Sequence, residues 1–409
     1  MGSGKYQYDY FSTPKIEKSL EEIYADMNAY TCETMSHETD LHQHVEQWVI
    51  LPPLYFEGRF IKGIVHGFGM DATVKQVPET RHYYHTLADS FWSCYPWTTA
   101  TDALFGVYDN PHREAWFRNC FPDQAHKPIL PFQYSDFVNE TVMRPVPVPE
   151  KDIDILMVAR RDPAKNFPFL ARCLKTYRQK YPNCPIKLTI VDGFGTDANL
   201  QHDKQSQEIF REVESILVHP MDYLTFYSRF IPNEEMSGLY SRAKLVILGS
   251  LLEGKNRAIH EAMLCNTPII VFKEFNQYIR GNTDVFPPGA GMYAPFDPEG
   301  WADTVYTALN HLGEFHPRKH YLSGFSGRKK SFNLCLNALS YYQENLPDFE
   351  PSDHTKNLWL DTAMLYNYQL SLKEFMHHPN QWLFPFRAHG IDHWKLVIED
   401  CKKRFGSRT

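Results

Sequence analysis

The feature that most constrains this chain is a regular exchange of strand-like and helix-like segments from residue 150 to about residue 310. Ile153 to Ala159 is a near-continuous apolar run, the pattern of a strand buried on both faces of a parallel sheet. A helical pattern follows over Phe167 to Tyr177, then a strand at Ile186 to Val191. A polar helix around Gln205 to Ile216 and a short strand at Leu224 to Tyr227 come next. The spacing of Met236, Leu239 and Tyr240 predicts a helix over Asn233 to Arg242, with Asn233 as its N-cap. Leu245 to Leu248 and Pro268 to Phe272 read as two more strands. Repeated βα units of this kind close into an open, doubly wound sheet, whose ligands bind beyond the carboxyl ends of the strands.

The remainder is less regular. Glu17 to Met27 reads as helix, Trp48 to Leu51, Phe60 to His66 and Phe91 to Trp97 as strands, and Thr101 to Tyr108 as helix. These segments predict a second, smaller α/β domain. Alternating prolines in Met143 to Glu150 hold the chain extended and mark the linker. Beyond about residue 320 the pattern turns helical and aromatic, with Tyr341, Trp359, Trp382 and Trp394 among its large side chains. The expected division is therefore 1–142, 150–320 and 321–409, and 409 residues suffice for two domains of ordinary size.

Composition removes several functions. Hydrophobic residues at 43% and charged ones at 22% fit a globular chain rather than a disordered one. No apolar run reaches the ~18 residues needed to span a bilayer. A formal charge of −7 argues against a dominant nucleic-acid partner. The eight cysteines form no C-x-x-C pair, which suits a reduced cytoplasmic protein without structural zinc. The first residues lack an apolar signal core, so export is not expected. Arg328-Lys329-Lys330 and Lys402-Lys403-Arg404 could give weak peripheral contact with anionic lipid at the inner face of a membrane, although such clusters are more often solvated helix ends.

The chemistry concentrates in Ser250-Leu251-Leu252-Glu253-Gly254-Lys255-Asn256-Arg257-Ala258-Ile259-His260-Glu261. Two carboxylates here lie between two strands, one on a loop and one on the helix that follows. An ionised carboxylate only accepts hydrogen bonds, so it suits sugar hydroxyls, which donate them. The first strand of the same sheet runs into Arg160 and, five residues on, Lys165. Two cations at that edge suit a diphosphate leaving group, whose charge grows as the bond breaks. The helix beginning near Asn256 would add backbone N–H groups and the positive end of its dipole.

Arg160 to Lys165, Phe230 to Glu235, Leu239 to Ala243, Glu253 to Glu261, Cys265 to Val271 and Gly289 to Met292 occur in an order that resembles the donor domain of family 4 of the retaining glycosyltransferases. The resemblance covers roughly residues 150 to 310 and implies the GT-B fold: two Rossmann-like domains facing a central cleft, with a mainly helical C-terminal extension packing back on the first. It also implies a metal-independent enzyme without a resident cofactor. Such an enzyme moves a sugar with retention from a UDP- or GDP-sugar to a hydroxyl of a glycan, glycolipid or small molecule. Arg160 and Lys165 would hold the diphosphate, Glu253 the transferred sugar and Glu261 the ribose hydroxyls. Gly254, Lys255 and Asn256 would approach sugar and phosphate through backbone, and the base would lie against backbone near Ile231. The resemblance further suggests that His66, at the end of a strand in the smaller domain, faces the transferred sugar. Lys255-Asn256-Arg257 stands where the family tends to be small or apolar, and Lys255 or Arg257 could add a phosphate contact.

Three further signals weigh less. Asp152-Ile153-Asp154 matches a D-x-D metal motif but precedes its strand, so it reads as a solvated strand start. Asp192-Gly193-Phe194-Gly195 reads as a tight turn, since no G-x-G-x-x-G follows. His260 reads as a packing residue. The rival functions are a sugar-nucleotide epimerase on a similar fold and a non-catalytic scaffold that keeps it.

Overall fold

The computed structural model describes residues 46–51, 53–56, 59–67, 70–89, 101–105, 122, 126–127, 129–130, 138, 140–161, 165–192, 204–229, 231–253, 256–277, 285–324 and 386–408. They form two compact units. The chain passes from the first to the second at residue 140 and returns to the first from residue 327 onward.

The first unit holds β1 (Glu46–Leu51), a hairpin of β2 (Leu54–Phe56) and β3 (Arg59–Ile61), then β4 (Gly63–Gly67). Helices α1 (Met70–Gln76) and α2 (Thr80–Tyr83) lead to β5 (Tyr84–Asp89), β6 (Ala103–Phe105) and β7 (Ile129–Leu130). In the second unit β8 (Ile153–Val158), α3 (Phe167–Lys180), β9 (Leu188–Val191), α4 (Lys204–Ile216) and β10 (Leu224–Tyr227) come first. They are followed by α5 (Asn233–Arg242), β11 (Ala243–Ile247), β12 (Leu252–Glu253) and α6 (Arg257–Leu264). Next are β13 (Ile269–Phe272), β14 (Asn276–Gln277), β15 (Gly291–Ala294), α7 (Pro298–Asn310) and α8 (Pro317–Gly324). The returning segment supplies β16 (Phe386–His389) and α9 (Gly390–Phe405).

The second sheet runs β10-β9-β8-β11-β13-β15 with every pairing parallel. Counted along the chain this is the order 3-2-1-4-5-6, so the connections reverse direction between β8 and β11. Its core strands are mainly apolar: Ile155, Leu188, Ile190, Leu245, Ile247 and Ile270 are all buried in one core with helices α3 and α7. Burial on both faces is why these strands read as continuous apolar runs and not as alternating ones.

The first sheet has the order β16-β1-β4-β5-β6-β7. β4 to β7 pair in parallel, and β1 is antiparallel to both its neighbours. The aromatic C-terminus is thus more than a helical extension: β16 adds an edge strand, and α9 buries Trp394, Val397 and Ile398 in the same core as Val49, Val65 and Tyr84. The Trp394 indole N–H donates to Thr80 Oγ1 at 2.8 Å, which satisfies its one polar atom inside that core.

Three expectations need correction. The helix expected over Thr101 to Tyr108 is instead β6 at Ala103–Phe105, paired in parallel between β5 and β7. Asp102, just before it, accepts from the Thr86 amide at 2.7 Å and its hydroxyl at 2.8 Å, so cross-strand bonds override local helical spacing. The single strand expected over Phe60 to His66 breaks at Lys62 into β3 and β4, which belong to different sheets. Asn233 is the first helical residue and Pro232 takes the N-cap position. The expected elements at 17–27 and 91–97 lie outside the described residues.

The proline segment is docked, not free. Arg144 and Val146 amides donate to Ser237 Oγ and Ser241 Oγ on α5, and the Lys151 ammonium donates to the carbonyls of Ser241 and Ala243. Among the described residues no helix is long and apolar enough to cross a membrane. Lys402 is engaged by Glu79 and Glu399, and Arg404 by Asp400, so two of the three cations of that cluster have acidic neighbours.

Candidate active site

The reversal between β8 and β11 sets the site, because the loops leaving those two strands diverge at the carboxyl edge and leave a crevice. Arg160 follows β8 and is exposed, with no ion pair among the described residues. Lys165 is half-buried in the turn that leads to α3. The loop after β11 passes directly against it: a Cβ on Gly249 would lie 2.1 Å from the Lys165 carbonyl oxygen and 2.9 Å from a Leu170 methyl. Only glycine allows that approach. The same contact is held by Asn166, whose side-chain amide donates to the Gly249 carbonyl at 2.7 Å while its backbone takes a left-handed φ of 51°. The cation-bearing loop and the carboxylate-bearing loop are therefore fastened to each other.

Beyond Gly249 the chain forms β12, where Leu252 and Glu253 pair in parallel with Asn276 and Gln277 of β14. This ladder fixes the backbone of Glu253. Gly254 and Lys255 lie outside the described residues. Asn256 caps α6, its Oδ1 accepting from the Ala258 amide at 2.9 Å, so its side chain serves the helix start. That cap sets the phase of α6 and puts Glu261 one turn after Arg257. Glu261 is buried, and both its oxygens are engaged: Arg257 Nε donates to Oε1 at 2.6 Å and the Tyr240 hydroxyl to Oε2 at 2.8 Å. Arg257 is thus directed to Glu261. Burial, and then the Glu261 charge, hold the Tyr240 hydroxyl well above the usual tyrosine range, so it remains a donor. His260 on the same helix packs its ring edge-on to Tyr321 at 5.6 Å.

At the neighbouring strand ends lies a cluster that the sequence did not single out. Asp192, at the end of β9, is fully enclosed, and its Oδ2 accepts from Arg161 Nε at 2.8 Å and Ser228 Oγ at 2.9 Å. The Arg161 guanidinium also donates to Ser228 Oγ at 2.6 Å and lies over the rings of Phe210 and Phe226, at 4.8 and 5.4 Å. Adjacent arginines therefore do different work: Arg161 ties β8, β9 and β10 together, while Arg160 remains exposed at the edge. The one available signal was the Asp at a strand end, which reads equally well as a turn. Ile231, beyond β10, is buried. Asp152 and Asp154 pair with Arg242 and Lys244 at the opposite edge.

His66 belongs to the first unit. It lies in the wholly buried β4, paired with Trp48 of β1 and Leu87 of β5. Burial pushes its pKa down to about 3, so the imidazole is neutral at physiological pH.

Residues 138–310 match the family described as glycosyl transferases group 1. The chain carries a glycosyltransferase domain. Its two sheets are of the Rossmann-like α/β kind. No curated protein matches the sequence. Among solved structures, the chain is similar to a sucrose-phosphate synthase from Thermosynechococcus elongatus: 15% identity, 83% of this chain and 82% of that one, TM-score 0.48. It is also similar to a glycosyltransferase from Rickettsia africae, with 15% identity over 68% of this chain and 82% of that one, TM-score 0.46. A third is the pneumococcal O-GlcNAc transferase in complex with UDP and GlcNAc, with 16% identity over 67% of this chain and 55% of that one, TM-score 0.43.

Proposed function

We propose that this glycosyltransferase transfers a sugar, with retention of configuration, from a UDP- or GDP-sugar to a hydroxyl of a glycan, glycolipid or small molecule. The observation that carries the reading is the fastening of the Lys165 turn to Gly249, which holds both halves of the motif at one switch point. In this reading Arg160 and Lys165 take up the diphosphate charge as the glycosidic bond breaks, the task a bound metal performs in other transferases, so none is invoked. The start of α6 adds the positive end of its helix dipole. Glu253 holds hydroxyls of the transferred sugar, Glu261 those of the ribose, and the backbone at Ile231 supports the base. Gly254, Lys255 and Asn256 line the approach to the sugar. A neutral His66 donates or accepts a hydrogen bond and is not a general acid at neutral pH.

The test is direct. Purified chain, incubated with UDP- and GDP-sugars and an acceptor panel, should release nucleoside diphosphate and form an α-configured product from an α-configured donor, read by NMR. Glu253→Ala should lose most transfer while still binding nucleotide. Wild-type transfer by that variant would sink the assignment of Glu253, and an epimerised nucleotide sugar would replace transfer by epimerisation.

A further inference from the structure

We propose that Arg257 and Tyr240 form a clamp that fixes the Glu261 carboxylate for a vicinal diol, making the chain selective for ribonucleotides over 2′-deoxyribonucleotides. This rests on the reading of Glu261 as the ribose residue and explains how this chain equips it.

A carboxylate has two oxygens and about four positions at which to accept hydrogen bonds. At Glu261 one position on each oxygen is filled, Oε1 by Arg257 and Oε2 by Tyr240. Among the described residues no third donor reaches it. Among the described residues one position thus stays open on each oxygen, and two adjacent hydroxyls that each donate once match that pair. The two donors come from separate elements: Arg257 is the first residue of α6, while Tyr240 lies on α5 and is wholly enclosed. Held from two sides, the carboxylate cannot rotate. A group already held in its bound orientation loses less freedom on binding. Burial strengthens the effect, because Glu261 is only 8% exposed and an ion so placed needs charged or hydroxyl donors. Arg257, a residue whose charge suggested a phosphate contact, thus acts one step back, as a positioning residue for the ribose end.

The experiment compares UDP with 2′-deoxy-UDP, and GDP with 2′-deoxy-GDP, by isothermal titration calorimetry. The chains compared are wild type, Arg257→Leu, Arg257→Lys and Tyr240→Phe. Wild type should bind the ribonucleotide at least about tenfold more tightly, the worth of one hydrogen bond to a charged group. Arg257→Leu and Tyr240→Phe should lose affinity for the ribonucleotide and little for its deoxy counterpart, bringing the ratio to about threefold or below. Arg257→Lys should fall between. A merely structural role would weaken both nucleotides alike. If Tyr240→Phe fails to fold, Arg257→Leu, at a half-buried position, decides alone. An unchanged ratio in the variants, with wild type still binding nucleotide, overturns the clamp and leaves the glycosyltransferase reading standing. Failure of wild type to bind any of the four overturns both.

Discussion

Arg160 and Arg161 are neighbours with opposite expected behaviour. Arg161 is bonded to the enclosed Asp192, so Arg161→Ala strands a buried carboxylate; a loss of about 3–5 kcal/mol in urea unfolding is expected. Arg160 is exposed, and Arg160→Ala should move stability by no more than about 0.5 kcal/mol while weakening nucleotide binding severalfold by calorimetry. Equal stability losses in the two would contradict this division. His66 gives a pH prediction. In the unfolded chain it protonates near its ordinary 6.5, whereas the folded residue stays neutral down to about 3. The unfolded state therefore binds the extra proton, and stability falls as pH drops from 6.5 toward 3, by roughly 1.4 kcal/mol per pH unit. His66→Gln should reduce the slope of stability against pH without abolishing it, because His85, lowered to about 4 chiefly by burial, contributes a second proton. Denaturation at a series of pH values would measure the difference, and an identical slope in the variant would remove His66 as its source.

At the scale of elements, the site depends on how two loops meet. Gly249→Ala puts a methyl group into the Lys165 carbonyl, so either the β8 loop or the β11 loop must move. The expected result is nucleotide affinity reduced at least about tenfold with the two-unit fold intact, because a displacement on the order of 1 Å disrupts a preorganised site. Circular dichroism with calorimetry would check it, and unchanged affinity would mean the loops are not coupled through this contact. The sequence made the strands and helices around that contact legible, since the central strands of the second sheet are largely buried. Gly249 itself drew no attention, because nothing near it in the chain shows that Lys165 will lie against it. The segment at Thr101 to Tyr108 failed for a related reason: apolar residues there suit either period, and pairing with β5 and β7 decides between them.

At the scale of the molecule, the first unit is closed by residues more than 300 positions away from its first strands. Trp394 fills that core and donates to Thr80, and the Tyr83 hydroxyl donates to the Gly406 carbonyl at 2.7 Å. Trp394→Ala should destabilise the first unit by about 3–5 kcal/mol. Hydrogen exchange should rise in β1, β4 and β5 while the β8 to β11 strands of the second unit keep their protection. Loss of protection in both units together would show instead that they unfold as one. The domain of residues 138–310 thus holds the motif, and the C-terminal segment completes the other unit.

The sequence by itself determined the class of the second sheet and which acids and cations follow its strands. These follow from local periodicity and from residue types whose chemistry does not depend on their neighbours. Tertiary structure decided the division of labour among the charges: that Arg161 is tied to Asp192 and Ser228 while Arg160 is exposed, and that Tyr240 of another helix meets Glu261. The reason is physical. An ionic side chain reaches several ångströms, and its role is set by whichever buried partner lies within that reach. The partners of Arg161 lie 31 and 67 residues along the chain, and Tyr240 lies 21 residues from Glu261; the fold closes these gaps, and the order of residues does not reveal it.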